Sequence, residues 1–150
     1  MGEIHFVQLN NYPTYEVELD HYTNRSIDII QSIDWLEEDL KNALLRGKTT
    51  ILNFHDAYDH FRKNTNENER IRLEKMITKY NVIAIFYGHS HNAGESDKKF
   101  LTNVKHYDSG ALFKGDYLFV EVKGKCINVS FYNGISGDAK KIEDFSGVCG

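Results

Sequence analysis

Three histidines follow two apolar segments of the chain, in positions where a ligand site could form. His55 comes directly after the apolar stretch 49–54, and His89 and His91 follow the apolar stretch 82–87. Neutral imidazole is a common protein ligand for zinc, manganese and iron. An H-x-H pair alone is usually a pair of turn or surface histidines. The additional histidine, His55, strengthens the prediction that these residues bind a metal ion. The residue types predict a metal site if the two segments lie side by side.

Gly88 and Ser90 flank His89 in the tetrapeptide GHSH. A glycine directly after a buried strand permits a sharp turn, so we expect Gly88 to direct both histidines toward the edge of a sheet. Ser90 separates His89 from His91, and we therefore expect the two imidazoles to splay apart. A hydrolytic pair of metal ions also needs carboxylates, for which Asp56, Asp59 and Asp108 are candidates without the spacing of a signature.

The periodicity of apolar residues predicts the elements that position these side chains. Residues 4–9, 49–54 and 82–87 have strand patterns. One helix is expected between the first two, with Asp34 as its cap, and a second is expected from about Glu67. Strand, helix, strand in this order implies a right-handed crossover between parallel strands. Ligands bind outside the carboxyl ends of such strands, so the three imidazoles are expected to converge there.

The last third of the chain has a different pattern. Short strands are predicted at 103–107, 117–122 and 127–132, and residues 123–125 predict a hairpin turn. The predicted fold class is therefore α/β, with a β-α-β-α-β stretch followed by an antiparallel meander. With 150 residues, the chain is predicted to form one domain.

Composition excludes several classes of function. The net charge is −4 and no run of Lys or Arg is longer than two, so no nucleic-acid binding is expected. No apolar run approaches the length of a membrane span, and the first residues show no signal peptide, so the sequence assigns no compartment. For Cys126 and Cys149 we expect a buried thiol and a tail thiol, with one bridge between them as the alternative.

Several segments together resemble the calcineurin-like metallophosphoesterases, which include the purple acid phosphatases. Residues 82–91, VIAIFYGHSH, are similar to the apolar strand and G-H-x-H motif of that family. Residues 32–40 are similar to its "QLxWLExxL" helix, and residues 51–56 to the strand that ends in a single metal-binding histidine. Residues 107–111 and 117–122 are similar to its late "SGA" turn and following strand. The resemblance covers nearly the whole chain.

This resemblance implies a phosphoester hydrolase with a pair of divalent or trivalent metal ions, either Mn, Zn or Fe. It implies that His55 and His89 bind one metal ion and that His91 binds the other. His60 would line the substrate side as a catalytic residue, with an ordinary loop histidine as the alternative. The implied architecture is half of the metallophosphoesterase β-sandwich, flanked by helices.

The family's other half carries D-x-H, G-D-x-x-D and G-N-H-[DE] motifs, which this sequence does not contain. Residues 1–150 are therefore expected to correspond to the C-terminal half of such a domain, with the missing N-terminal half supplied in cis or in trans. Without the bridging carboxylate, we expect the isolated chain to be inactive. An exposed sheet edge would invite pairing with that half or with a second copy. The alternative is a non-catalytic interaction or regulatory module that retains the fold.

Overall fold

The structure is a computed structural model that describes residues 2–18, 28–57, 59–95, 101 and 104–150. The helices are α1 (Ile33–Leu45), α2 (Asp59–Asn64) and α3 (Glu67–Lys79). The strands are β1 (Ile4–Gln8), β2 (Val17–Glu18), β3 (Asp28–Ile29), β4 (Thr49–Asn53), β5 (Val82–Tyr87), β6 (Gly94–Glu95), β7 (Lys105–Asp108), β8 (Asp116–Lys123), β9 (Cys126–Asn133) and β10 (Lys140–Cys149). A short 3-10 helix spans Leu112–Lys114.

The main sheet confirms the predicted parallel crossover. Among the described residues it has five strands in the order β1-β4-β5-β7-β6. β4 pairs with both β1 and β5 in parallel, and β5 pairs with β7 in parallel, whereas β6 is antiparallel to β7. The carboxyl ends of β1, β4, β5 and β7 therefore lie at one edge of the sheet, as the site requires.

A second sheet contains the predicted meander. In the part of the chain that the structure describes, it has three antiparallel strands in the order β10-β9-β8. The strand predicted at 103–107 was wrongly placed in this meander. It corresponds to β7, which pairs in parallel with β5; residues 102 and 103 lie outside the described residues. β10 was not predicted, because two register shifts along its pairing with β9 disturb the strict alternation of apolar residues.

Two apolar clusters fill the space on the two faces of the main sheet. One packs the three helices against β1, β4 and β5, around fully buried residues such as Leu36, Leu40 and Leu52. The other packs the opposite face against β8, β9 and β10, around Tyr107 and Ile127. The fold class is therefore α/β, with a layer of helices, the main sheet and the three-stranded sheet. No helix within the described ranges is long and apolar enough to cross a membrane.

The helices differ from the predictions in detail. Ser32 occupies the N-cap position of α1, although its side chain makes no capping bond. Asp34 lies in the first turn of the helix, so the prediction of Asp34 as the cap is wrong. α3 begins at Glu67 as expected, with the Asn66 side chain accepting the backbone N–H of Glu69 at 3.0 Å. The short helix α2 was not predicted, since its six polar-rich residues are too few to show a period.

The two cysteines form a disulfide between Cys126 and Cys149. These residues are paired in register at the ends of β9 and β10. The expectation of two separate thiols is therefore wrong, and the alternative is the correct one. The meander brings the two residues together, and this proximity could not be read from their 23-residue separation.

We predict that replacing both cysteines by serine lowers the free energy of unfolding by about 3 kcal/mol, because the bridge restricts the unfolded chain. Urea unfolding of the double variant against the wild type measures this change. The control is the wild type after reduction, which is expected to match the double variant. Titration of two free thiols in unreduced, denatured protein would contradict the assignment.

Burial raises the pKa of Tyr107 from 10.0 to about 12, with a smaller contribution from the charge of Glu95. The unfolded chain therefore loses this proton first as the pH rises through 10, which favours unfolding until the folded phenol also ionises near 12. We predict that stability falls more steeply between pH 10 and 11.5 in the wild type than in Tyr107→Phe. Urea midpoints across this range test the prediction, and parallel curves would refute it.

Candidate metal centre

The loops that follow β1, β4 and β5 are joined by backbone hydrogen bonds. The N–H of His55 donates to the carbonyl of Asn10 at 3.3 Å, and the N–H of Asp56 donates to that of Asn11 at 2.9 Å. The N–H of Gly88 donates to the carbonyl of His55 at 3.0 Å. These bonds hold the three loops together at the carboxyl edge of the sheet.

Asp56 is the buried centre of a group of histidines. Its side chain is 1% exposed. Its Oδ2 accepts the backbone N–H of His60 at 3.1 Å and lies 2.5 Å from Nδ1 of the same residue. Nε2 of His89 lies 3.7 Å from the same oxygen. One carboxylate oxygen therefore faces two imidazoles, one from helix α2 and one from the loop after β5.

The imidazoles also contact one another. Nδ1 of His89 lies 3.3 Å from Nε2 of His55, and their ring centroids are 5.2 Å apart. The rings of His60 and His89 are 5.0 Å apart at their centroids. Ligand atoms of Asp56, His60 and His89 all lie within 4.8 Å of one another. This group, Asp56, His60 and His89, is called the carboxylate–histidine cluster below.

His91 has different contacts from the other two predicted histidines. Its ring packs edge-on against Phe113, with centroids 5.2 Å apart, and its carbonyl accepts a hydrogen bond from Nζ of Lys114. The structure thus brings His55, His60 and His89 into contact, and the expected convergence of three imidazoles is seen for His55 and His89. The assignment of a second metal ion to His91 stays a prediction.

The backbone of the histidine loop is strained at the histidines themselves. His89 has φ 71° and His91 has φ 59°, both in the left-handed region. That region costs a residue with a Cβ roughly 1–2 kcal/mol. Gly88 is not in this region, so the expectation that its conformational freedom makes the turn is wrong. Some other interaction must hold the two histidines in place.

The three candidate carboxylates lie in different environments. Asp56 belongs to the cluster, whereas Asp59 is exposed at the start of α2. Asp108 is buried at the end of β7, where its oxygens accept hydrogen bonds from the Ser90 hydroxyl and the Gly110 N–H. Burial raises the pKa of Asp108, and these two hydrogen bonds partly oppose the increase.

The link between Asp56 and His60 was missed by the sequence reasoning. The two residues are four apart, and they meet because α2 begins between them. A carboxylate followed by a histidine at this spacing is the signal that could have found the pair, had the short helix been expected. Elsewhere, His5 bonds Asp39 at 2.6 Å and His106 is buried; His21 lies outside the described residues.

The cluster offers a suitable donor set for one divalent cation. A buried carboxylate supplies negative charge, and imidazoles with half-exposed or partly exposed rings can approach an ion from the solvent side. His55 lies outside this donor set, because it faces Nδ1 of His89 whereas Asp56 faces Nε2 of the same ring. Asp56 is the one carboxylate in this set among the described residues. The donors therefore fit one metal ion and are too few for a pair of metal ions.

The chain matches no family model and is similar to no curated protein sequence. It shows a weak likeness to crystal structures of Vps29 from Entamoeba histolytica. The wild type complexed with zinc is 15% identical with a TM-score of 0.36, over 51% of this chain and 47% of that chain. A double mutant is 13% identical with a TM-score of 0.37, over 73% and 75% of the two chains. A single mutant is 12% identical with a TM-score of 0.37, over 94% and 99%.

Proposed function

We propose that this chain is the metal-binding part of a phosphoester hydrolase of the calcineurin-like metallophosphoesterase type. The observation that carries the proposal is the carboxylate–histidine cluster, in which ligand atoms from two loops and helix α2 lie within 4.8 Å of one another. The cluster lies at the carboxyl edge of a parallel sheet, where ligands of open α/β sheets bind. The order of the motifs in the sequence supports the choice of phosphoesters as the substrate class.

Asp56, His60 and His89 are proposed to hold one divalent ion. His55, which faces the other ring nitrogen of His89, remains a ligand predicted from the sequence. Such an ion, when bound, supplies Lewis acidity and lowers the pKa of a bound water. Because Asp56 is buried, its charge is little screened by solvent and attracts a cation strongly. His91 is proposed to serve a second ion, whose remaining ligands would come from the missing N-terminal half in cis or in trans.

Asp56 has a second task in this arrangement. By bonding both the backbone and the ring of His60, it fixes the orientation of that imidazole. The His60 side chain is 51% exposed, so its free ring nitrogen remains accessible to a ligand. Next to this cluster, a pocket of about 330 Å³ provides space for a phosphoester group, and its lining includes Gln8, Asn10, Asn53, His55 and Ser109.

We predict that zinc binds the wild-type chain and that His60→Ala and His89→Ala each weaken binding by at least about tenfold, since each removes a ligand. Isothermal titration calorimetry with zinc measures the affinities. His5→Ala is the matched control, because it removes a histidine that bonds a different carboxylate, that of Asp39. It is expected to leave zinc affinity unchanged.

The outcomes for His60 separate its two proposed roles. Loss of zinc affinity in His60→Ala supports its role as a ligand. Unchanged zinc affinity in that variant would reject the ligand role and favour the substrate-side position expected from the sequence. Unchanged affinity in His89→Ala as well would overturn the metal site.

We predict that inorganic phosphate binds the zinc-loaded chain and does not bind the metal-free chain or His89→Ala. The reason is that a phosphoester hydrolase must hold phosphoryl oxygens at its metal centre. Phosphate titration at fixed zinc tests this. Turnover of chromogenic phosphomonoesters and phosphodiesters by the zinc- or manganese-loaded chain is expected not to exceed that of His89→Ala. Turnover abolished by His89→Ala would instead show a complete site.

A non-catalytic interaction module is the second candidate, and the edges of the sheets favour it. Among the described residues, β1 and β8 are edge strands with one paired neighbour each. Between them lies a mostly apolar groove of about 570 Å³ that includes Phe6, Leu118 and Val120. A protein partner, such as the missing half or a second copy, could cover this groove. Partner binding that survives His89→Ala would favour this candidate over the enzyme.

A further inference from the structure

Asp108 connects two loops at the carboxyl edge of the main sheet. It ends β7, lies in register with Tyr87 at the end of β5, and is 3% exposed. Its Oδ2 accepts the Ser90 hydroxyl at 2.5 Å, and its Oδ1 accepts the backbone N–H of Gly110 at 2.9 Å. One carboxylate therefore bonds the loop after β5 and the turn after β7.

Ser90 is the residue through which this carboxylate reaches the histidine loop. Its N–H donates to the carbonyl of Gly88 at 2.9 Å, and its Oγ accepts the N–H of Asn92 at 3.2 Å. The Asn92 side chain donates to the Ser90 carbonyl at 3.0 Å. Ser90 is thus fixed at its backbone and its hydroxyl, between the two histidines with positive φ.

We propose that Asp108 is a positioning residue that, through Ser90, holds His89 and His91 in their left-handed conformations. These conformations direct the His89 ring toward Asp56 and the His91 ring toward Phe113. Asp108 is assigned a positioning role in this proposal, because its two oxygens accept hydrogen bonds from the Ser90 hydroxyl and the Gly110 N–H. The consequence for metal binding rests on the proposed function, whereas the effect on the loop does not.

The side chain of Asp108 joins the two loops through both of its oxygens. Two donors, a hydroxyl and a backbone N–H, approach two different oxygens of Asp108. Asp108→Ala removes both acceptors. Asp108→Asn would not, because its carbonyl oxygen can accept the Gly110 N–H while its amide N–H donates to the Ser90 hydroxyl oxygen. Ser90→Ala removes the hydroxyl, whereas Ser90→Thr retains it.

The three-stranded sheet contains a matched control. The Ser130 hydroxyl donates to Oδ1 of Asp144 at 2.5 Å, the same distance as in the Ser90 and Asp108 pair. Asp144 belongs to β10 and pairs in register with Ser130 of β9, so the control pair lies in a different sheet. Asp144→Ala therefore removes the acceptor from a similar pair that does not contact the histidine loop.

The first test is amide hydrogen exchange of the metal-free chain, followed by NMR. In Asp108→Ala and Ser90→Ala we expect the Ser90 amide to exchange at least about tenfold faster, because the loop opens more often. Asp144→Ala and Ser90→Thr are expected to match the wild type. The amides of β4 report whether the variants stay folded. Unchanged exchange at Ser90 in folded Asp108→Ala would overturn the proposal.

The second test measures zinc affinity by calorimetry. Asp108→Ala and Ser90→Ala are expected to weaken zinc binding about tenfold, as loss of a positioning bond does at other metal sites. The double variant is expected to bind no more weakly than either single variant, since both changes break the same connection. Additive losses in the double variant would contradict the proposed connection. If the wild type binds no zinc, the proposed function fails, and the exchange result alone decides the role of Asp108.

Discussion

The structure depends on the parallel pairing of β4 with its two neighbours. This pairing places the ends of β1, β4 and β5 at one edge, so that a histidine after β4 and a histidine after β5 contact each other although they are 34 residues apart. The two apolar clusters, one on each face of the sheet, stabilise that pairing. The site is a consequence of the sheet topology, because within the cluster only Asp56 and His60 are near neighbours in sequence.

Much of this topology was predictable because long, strongly patterned segments dominate it. β5 has an unbroken apolar run and was predicted with its observed bounds. The crossover that makes β4 and β5 parallel followed from the order of the elements. The errors lie where local pattern is weak, in the short helix α2 and in β10 with its bulges. β7 was misplaced because a four-residue strand carries no sign of which neighbour it will pair with.

Part of the site was predictable from the strand pattern. The contact between His55 and His89 follows from the positions of the strand ends, whereas the presence of Asp56 in the cluster, in place of Asp59 or Asp108, depends on side-chain direction. Burial separates Asp59 from the other two carboxylates, and their partners separate Asp56 from Asp108. Asp59 is exposed, Asp56 is buried and faces His60 and His89, and Asp108 is buried and bonds Ser90 and Gly110. No spacing in the sequence distinguishes these situations, because each arises from contacts between distant segments.

The separation between the scaffold and the proposed site has a further consequence. His55 and His89 belong to neither apolar cluster, and both lie in loops after strands that those clusters stabilise. His60 differs, because its ring lies 2.5 Å from the buried carboxylate of Asp56, which loses a partner when His60 is replaced. Substitutions at His55 and His89 are therefore expected to leave the scaffold intact. The proposed metal binding can then be lost at these two positions while the fold and its surfaces are retained.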